Sequence, residues 1–100
     1  MDKLDLFVRY LQTQKKYAAH TIVAYSLDLK QFNTFLLVQF DMNLDVPFAT
    51  MHIRSWMASM GKAALDNRSI RRKLSSLNHF CKFLMRRHQM EENPMHKILS

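Results

Sequence analysis

Apolar residues return every three or four positions along most of this chain, the spacing that places them on one face of an α-helix. Leu4, Phe7, Val8 and Leu11 form the first such run, with Asp2 placed to cap it and Lys15 and Lys16 suited to its negative end. The stretch 17–20 breaks the pattern. Ile22, Tyr25, Leu29, Phe32 and Leu36 then line a longer second helix that should end near Phe40 or Asp41. After a connection containing Asn43, Asp45 and Pro47, Thr50 stands where an N-cap is wanted, ahead of Ile53, Trp56, Met57 and Met60. Gly61 is expected to close this third helix in the left-handed conformation that follows a helix end. A fourth helix should begin after Asp66 and run to about Met90, with Ile70, Leu74, Leu77, Cys81 and Leu84 as its buried stripe. Asn93-Pro94 stops any continuation. The pattern therefore predicts an all-α fold, a compact four-helix bundle over residues 1–94, with 95–100 as the start of a linker.

Composition narrows this reading rather than changing it. One hundred residues suffice for one hydrophobic core but not for a second, catalytic domain. With one Gly and two Pro, the chain is short of the residues that build turns and strands. Cys81 is alone, no charged segment followed by an apolar run opens the chain, and the most apolar stretch, 35–38, is far short of a membrane span, so a cytoplasmic protein without a membrane partner is expected. The histidines show no helical pairing and Cys81 has no cysteine partner, which argues against a metal site. A single glycine leaves no phosphate-cradling loop, and Glu91 and Glu92 are adjacent and diverge. Neither a cofactor nor a catalytic residue is expected. Trp56 and the methionines read as core filler.

Charge location carries more information than charge total. From Lys62 to His88 stand Lys62, Arg68, Arg71, Arg72, Lys73, Lys82, Arg86 and Arg87, against the single acid Asp66, so this stretch holds the whole formal charge of +7. At about 100° per residue, Arg68, Arg72, Ser75, His79, Lys82 and Arg86 project opposite the apolar stripe of the fourth helix. A solvated helix face usually mixes signs, because opposite charges four apart stabilise it. An acid-free face with interleaved Ser and His fits contacts to phosphates and base edges of double-stranded DNA. Arg72, at its centre, is the strongest candidate, and Arg68, Arg71, Lys73 and Lys82 are candidate phosphate or groove contacts. Ser75, Ser76 and His79 are either base or phosphate contacts or ordinary surface residues. In the second helix Thr21 is either a phosphate donor or a local cap, Tyr25 a core residue or a base contact, and Lys30 a backbone contact or a solvated lysine. A helical DNA-binding regulator and a basic protein-interaction bundle are the competing readings.

The stretch from Asn67 to Leu84, followed by Glu92-Asn93-Pro94-Met95, resembles the SAM-like core-binding domain of Xer-type tyrosine recombinases, within the phage integrase family. His20-Thr21-Ile22-Val23-Ala24-Tyr25, Asp28-Leu29, Phe32 and Phe35-Leu36 resemble its second helix, and Ile53 to Met57 its third. Members often carry Ser at position 18, a basic residue at position 78 and a Gly near position 65, where this chain has Ala18, Asn78 and Leu65. The resemblance implies one half of a clamp around a recombination half-site, with the second and fourth helices approaching the major groove. Its implied partners are duplex DNA, a catalytic domain of the same polypeptide and other recombinase protomers on the DNA. It also implies that strand cleavage belongs to that other domain. Tyr10, Tyr17 and Tyr25 lack the His-x-x-Arg signature that the family places ahead of its nucleophile.

Overall fold

The structure, a computed structural model, describes residues 1–99. Among them the fold is all-helical: α1 (Lys3–Thr13), α2 (Ala19–Phe40), α3 (Thr50–Lys62), α4 (Asn67–Arg86) and a short α5 (His96–Leu99). The four long helices are those the hydrophobic spacing predicts, and α5 is an addition, one turn inside the segment expected to begin a linker. The chain divides into two compact units, Met1–Val46 and the part from Pro47 onward.

In the first unit, α1 starts where Asp2 accepts a hydrogen bond from the Asp5 amide at 2.8 Å, satisfying one of the donors that a helix start leaves open. Phe7 and Leu11 are its buried residues, and the Phe7 ring lies 6.3 Å from that of Tyr25, tilted by 59°, so α1 packs on α2 partly through aromatic edges. Tyr17, in the connection, stacks on Tyr25 at 6.1 Å. Asp41 ends α2 in the left-handed conformation, φ 54°. The loop beyond it is tied down by polar side chains: Asn33 accepts from the Leu44 amide and Asp45 from the Lys3 amide, each at 2.9 Å. These bonds fix the loop that brings Leu44, 4% exposed, into the core.

In the second unit, α3 begins one residue earlier than expected. Ala49, not Thr50, is the N-cap, and its amide donates to His52 Nδ1 at 2.8 Å. Thr50 instead donates its hydroxyl to the Pro94 carbonyl at 2.8 Å, tying the start of α3 to the segment before α5. Gly61 lies inside α3 and no glycine has a positive φ; the left-handed residue is Ala64, φ 61°. The chain thus carries the turn on a residue with a Cβ, three positions later than expected. Asp66 caps α4 by accepting from the Ser69 amide at 2.7 Å. The helix ends at Arg86 rather than near Met90, because His88 turns left-handed at φ 58° and the Gln89 amide folds back to the Leu84 carbonyl at 2.9 Å. Asn93 then accepts from the Met95 amide and donates to Asn78 Oδ1 at 3.0 Å. This anchors Met95, which is fully buried, and leads the chain into α5.

Candidate nucleic-acid interface

α4 is sharply two-sided. Its buried residues are Lys73, Leu74, Ser76, Leu77, Phe80, Cys81, Phe83 and Leu84, which span about half of the helix circumference at 100° per residue. Leu74, Leu77, Cys81 and Leu84 were legible as the inward stripe, but Phe80 and Phe83 widen it. Arg68, Arg71, Arg72, Ser75, His79, Lys82 and Arg86 are all exposed and fall within an arc of about 100° on the other side. Arg68 and Arg86 are five full turns apart, which sets the length of this basic strip at about 27 Å. The strip contains no acid.

The helix start adds to this electrostatic pattern without adding a site. Asp66 lies just ahead of the strip, and the Ser69 backbone hydrogen bond, followed by that residue's side-chain bond, holds its carboxyl below the usual carboxylate range. It therefore stays ionised as a cap, fixing the first turn from which Arg68, Arg71 and Arg72 project. At the far end Arg87 leaves the strip: its guanidinium lies 5.5 Å from the Phe83 ring centroid and its Nε donates to Gln89 at 3.3 Å.

Two expected contacts fall on the wrong side of α4. Lys73 is 7% exposed and Ser76 is 1% exposed, with its hydroxyl donating to the Arg72 carbonyl at 3.2 Å. At about 100° per residue, positions 73 and 76 lie about 100° and 40° from position 72 on the side toward the apolar stripe, which puts both at its edge, and packing then buries them. Arg86, which its spacing already puts on the basic face though not among the candidate contacts, stands in line with Arg68 eighteen residues away and completes the strip. Asn78 accepts from the Asn93 side-chain amide and so holds that residue.

The remaining candidates belong to the first unit. Ala18, the N-cap of α2, makes no side-chain cap hydrogen bond, and Thr21 lies half-buried in the first turn with its amide on the Ala18 carbonyl at 3.0 Å. Tyr25 is half-buried between Phe7 and Tyr17; burial, followed by the proximity of Tyr17, pushes its phenol above the ordinary tyrosine value. Lys30 is exposed, about 140° around α2 from Tyr25. Trp56 and Met60 are core residues, as their spacing indicates.

Burial pushes the Cys81 thiol up to about 12. Among the described residues, no group of three or more His, Cys, Asp or Glu side chains could hold a metal ion, and no helix is long and apolar enough to cross a membrane.

Comparison with known proteins bears on the same residues. The family model for the phage integrase N-terminal SAM-like domain matches residues 4–88. The chain is 40% identical over 95 residues to tyrosine recombinase XerC of Bacillus subtilis, covering 95% of this chain and 31% of that protein. It is 37% identical over 92 residues to the XerC of Bacillus licheniformis (91% and 30%) and 41% identical over 90 residues to that of Leptospira interrogans serogroup Icterohaemorrhagiae serovar copenhageni (88% and 28%). The chain thus spans about a third of the length of these relatives. No solved structure matches it significantly.

Proposed function

We propose, from the premise that this chain belongs to the phage integrase N-terminal SAM-like domain family, that it is the DNA-gripping, non-catalytic part of a tyrosine recombinase. The acid-free outward strip of α4 carries this reading. A major groove is about 12 Å wide, whereas the strip is about 27 Å long. When α4 lies across the groove, only the central residues Arg72, Ser75 and His79 face base edges. Arg68 and Arg71 at one end, and Lys82 and Arg86 at the other, reach the flanking phosphates. The outer cations supply affinity and register, and the central side chains supply preference. Thr21 is a candidate phosphate donor at the start of α2. Lys73 and Ser76 act from the buried side, by fixing the helix, and Tyr25 through its aromatic packing. Lys30, exposed and the one lysine or arginine of α2, is a candidate backbone contact.

Strand cleavage then belongs to a separate domain of the longer polypeptide, acting in the cytoplasm on DNA held jointly with other protomers. None of the tyrosines in this chain is assigned as a nucleophile; the raised pKa of Tyr25 works against phenolate formation near neutrality. Titration of the chain with duplex DNA at two salt concentrations tests the reading. Affinity that falls steeply with salt supports it, and weak, salt-insensitive association favours a protein-interaction bundle.

A further inference from the structure

Two adjacent arginines close α4, and the fold treats them differently. Arg86 stands on the outward strip, whereas Arg87, the C-cap residue and equally exposed, is folded back along the helix. Its guanidinium lies 5.5 Å from the Phe83 ring centroid, and its Nε donates to Gln89 Oε1 at 3.3 Å. Both contacts are at the outer edge of their kind. A cation–π contact is confined to about 6 Å from the centroid, and an N–H···O bond is normally about 2.7–3.2 Å long. Neither partner is charged.

The strong partners of a guanidinium are carboxylates and phosphates, which it grips through paired N–H bonds. Among the described residues no carboxylate pairs with Arg87. Glu91 and Glu92, four and five positions on, instead line a groove with Phe48, Met85 and Pro94. The full charge of Arg87 therefore stays unneutralised beside that of Arg86. Geometry allows it to be used. Position 87 lies about 60° around the axis from position 72, the near edge of the strip. On a helix about 10–12 Å across, that interval is an arc of about 6 Å, within the span of an arginine side chain.

We infer that Arg87 is a latched cation, held against Phe83 and Gln89 in the free chain and turned outward by duplex DNA to grip a backbone phosphate beside the one met by Arg86. It adds a contact to the four phosphate contacts of the strip. Release costs little because both latch contacts are weak, and the charge-assisted bonds to phosphate replace them with stronger ones. The inference rests on the reading of the strip as the DNA-contacting face, and it names a contact that helical spacing alone leaves off that face.

Fluorescence anisotropy of the 100-residue chain on a labelled duplex, between about 50 and about 200 mM salt, tests it. Arg87→Ala is expected to flatten the slope of log affinity against log salt by about 0.9, the share of one phosphate, so that the margin of wild type over the variant shrinks about 3.5-fold across that range. Arg87→Lys keeps the charge without the planar guanidinium and is expected to retain the wild-type slope. Gln89→Ala removes one latch contact at an exposed position and is expected to bind at least as tightly as wild type. Circular dichroism and the melting temperature show that each variant is folded.

An Arg87→Ala slope equal to that of wild type overturns the inference and leaves Arg87 with its packing on Phe83 alone. Weaker binding by Gln89→Ala also overturns it, because DNA then selects the latched conformer. Both of these outcomes leave the reading of the strip standing. A wild type without salt-dependent duplex binding, by contrast, brings down that reading and the inference together.

Discussion

Arg68→Ala removes one end of the basic strip at an exposed position, so its effect should appear in DNA binding and not in folding. Of the five exposed cations of the strip, Arg68, Arg71, Lys82 and Arg86 are placed to reach phosphates, and Arg72 faces base edges. If each of the four neutralises one phosphate, the strip's share of the slope of log affinity against log salt is about −3.6, at about −0.9 per contact. That share lowers affinity about 150-fold between about 50 and about 200 mM salt. With Arg68 gone, three contacts give a share of about −2.7 and a fall of about 40-fold over the same range. Fluorescence anisotropy on a labelled duplex at several salt concentrations reads the slope, and the melting temperature controls for folding. Lys73→Ala is the internal contrast: it removes the same formal charge from the buried side, so it should change stability and leave the slope alone. Equal loss of slope in the two variants would refute the division of α4 into a contacting and a packed side. An unchanged slope in Arg68→Ala would remove that residue from the interface.

Three further outcomes follow from local geometry. Ala64 sits at φ 61°, where a Cβ costs about 1–2 kcal/mol, partly offset by the extra unfolded-state freedom of glycine, so Ala64→Gly should stabilise the chain by about 0.5–1 kcal/mol in urea unfolding. The Asp66 carboxyl is depressed in the folded state, so its capping contribution is complete above the ordinary carboxylate pKa and is lost as pH falls through the lower folded value. Asp66→Ala should therefore lower the melting temperature by a few degrees near neutrality, and the gap to wild type should close in strong acid. With its thiol pushed up to about 12 and no exposed surface, Cys81 holds only about one thiolate in ten thousand at about pH 8. Its alkylation should be slow in the native chain and rapid in denaturant; rapid native alkylation would contradict the burial.

Much of the candidate site was legible because a helix converts sequence spacing directly into direction. The interval Arg68–Arg72–Ser75–His79–Lys82 fixes a common side as soon as α4 is recognised, and Leu74, Leu77, Cys81 and Leu84 fix the opposite one. The width of the buried side was not legible in the same way. Lys73 and Ser76 lie at its edges, where their own chemistry favours solvent, and only tertiary packing decides that the edge is covered. The outward aliphatics of α2 are not legible for the converse reason. Val23, Leu27, Leu37 and Val38 look like core residues in a list, and only their exposure distinguishes them from Leu29 and Leu36.

Helix ends show the same boundary between local and non-local causes. Asp2 and Asp66 cap as expected because a carboxylate reaching the amide three residues on is a purely local interaction. Thr50, equally suited to a cap, is drawn to the Pro94 carbonyl 44 positions away, and Asn78 pairs with Asn93, so neither role could be read from neighbouring residues. The sequence by itself determined the four long helices, their inward stripes and the concentration of charge on α4, since all of these depend on periodicity within one element. Tertiary structure alone decided which edges of those helices meet solvent and that Met95 is buried, because these depend on long-range contacts that no local pattern encodes, whereas α3 and α4 stop at left-handed Ala64 and His88, residues that carry no glycine signal.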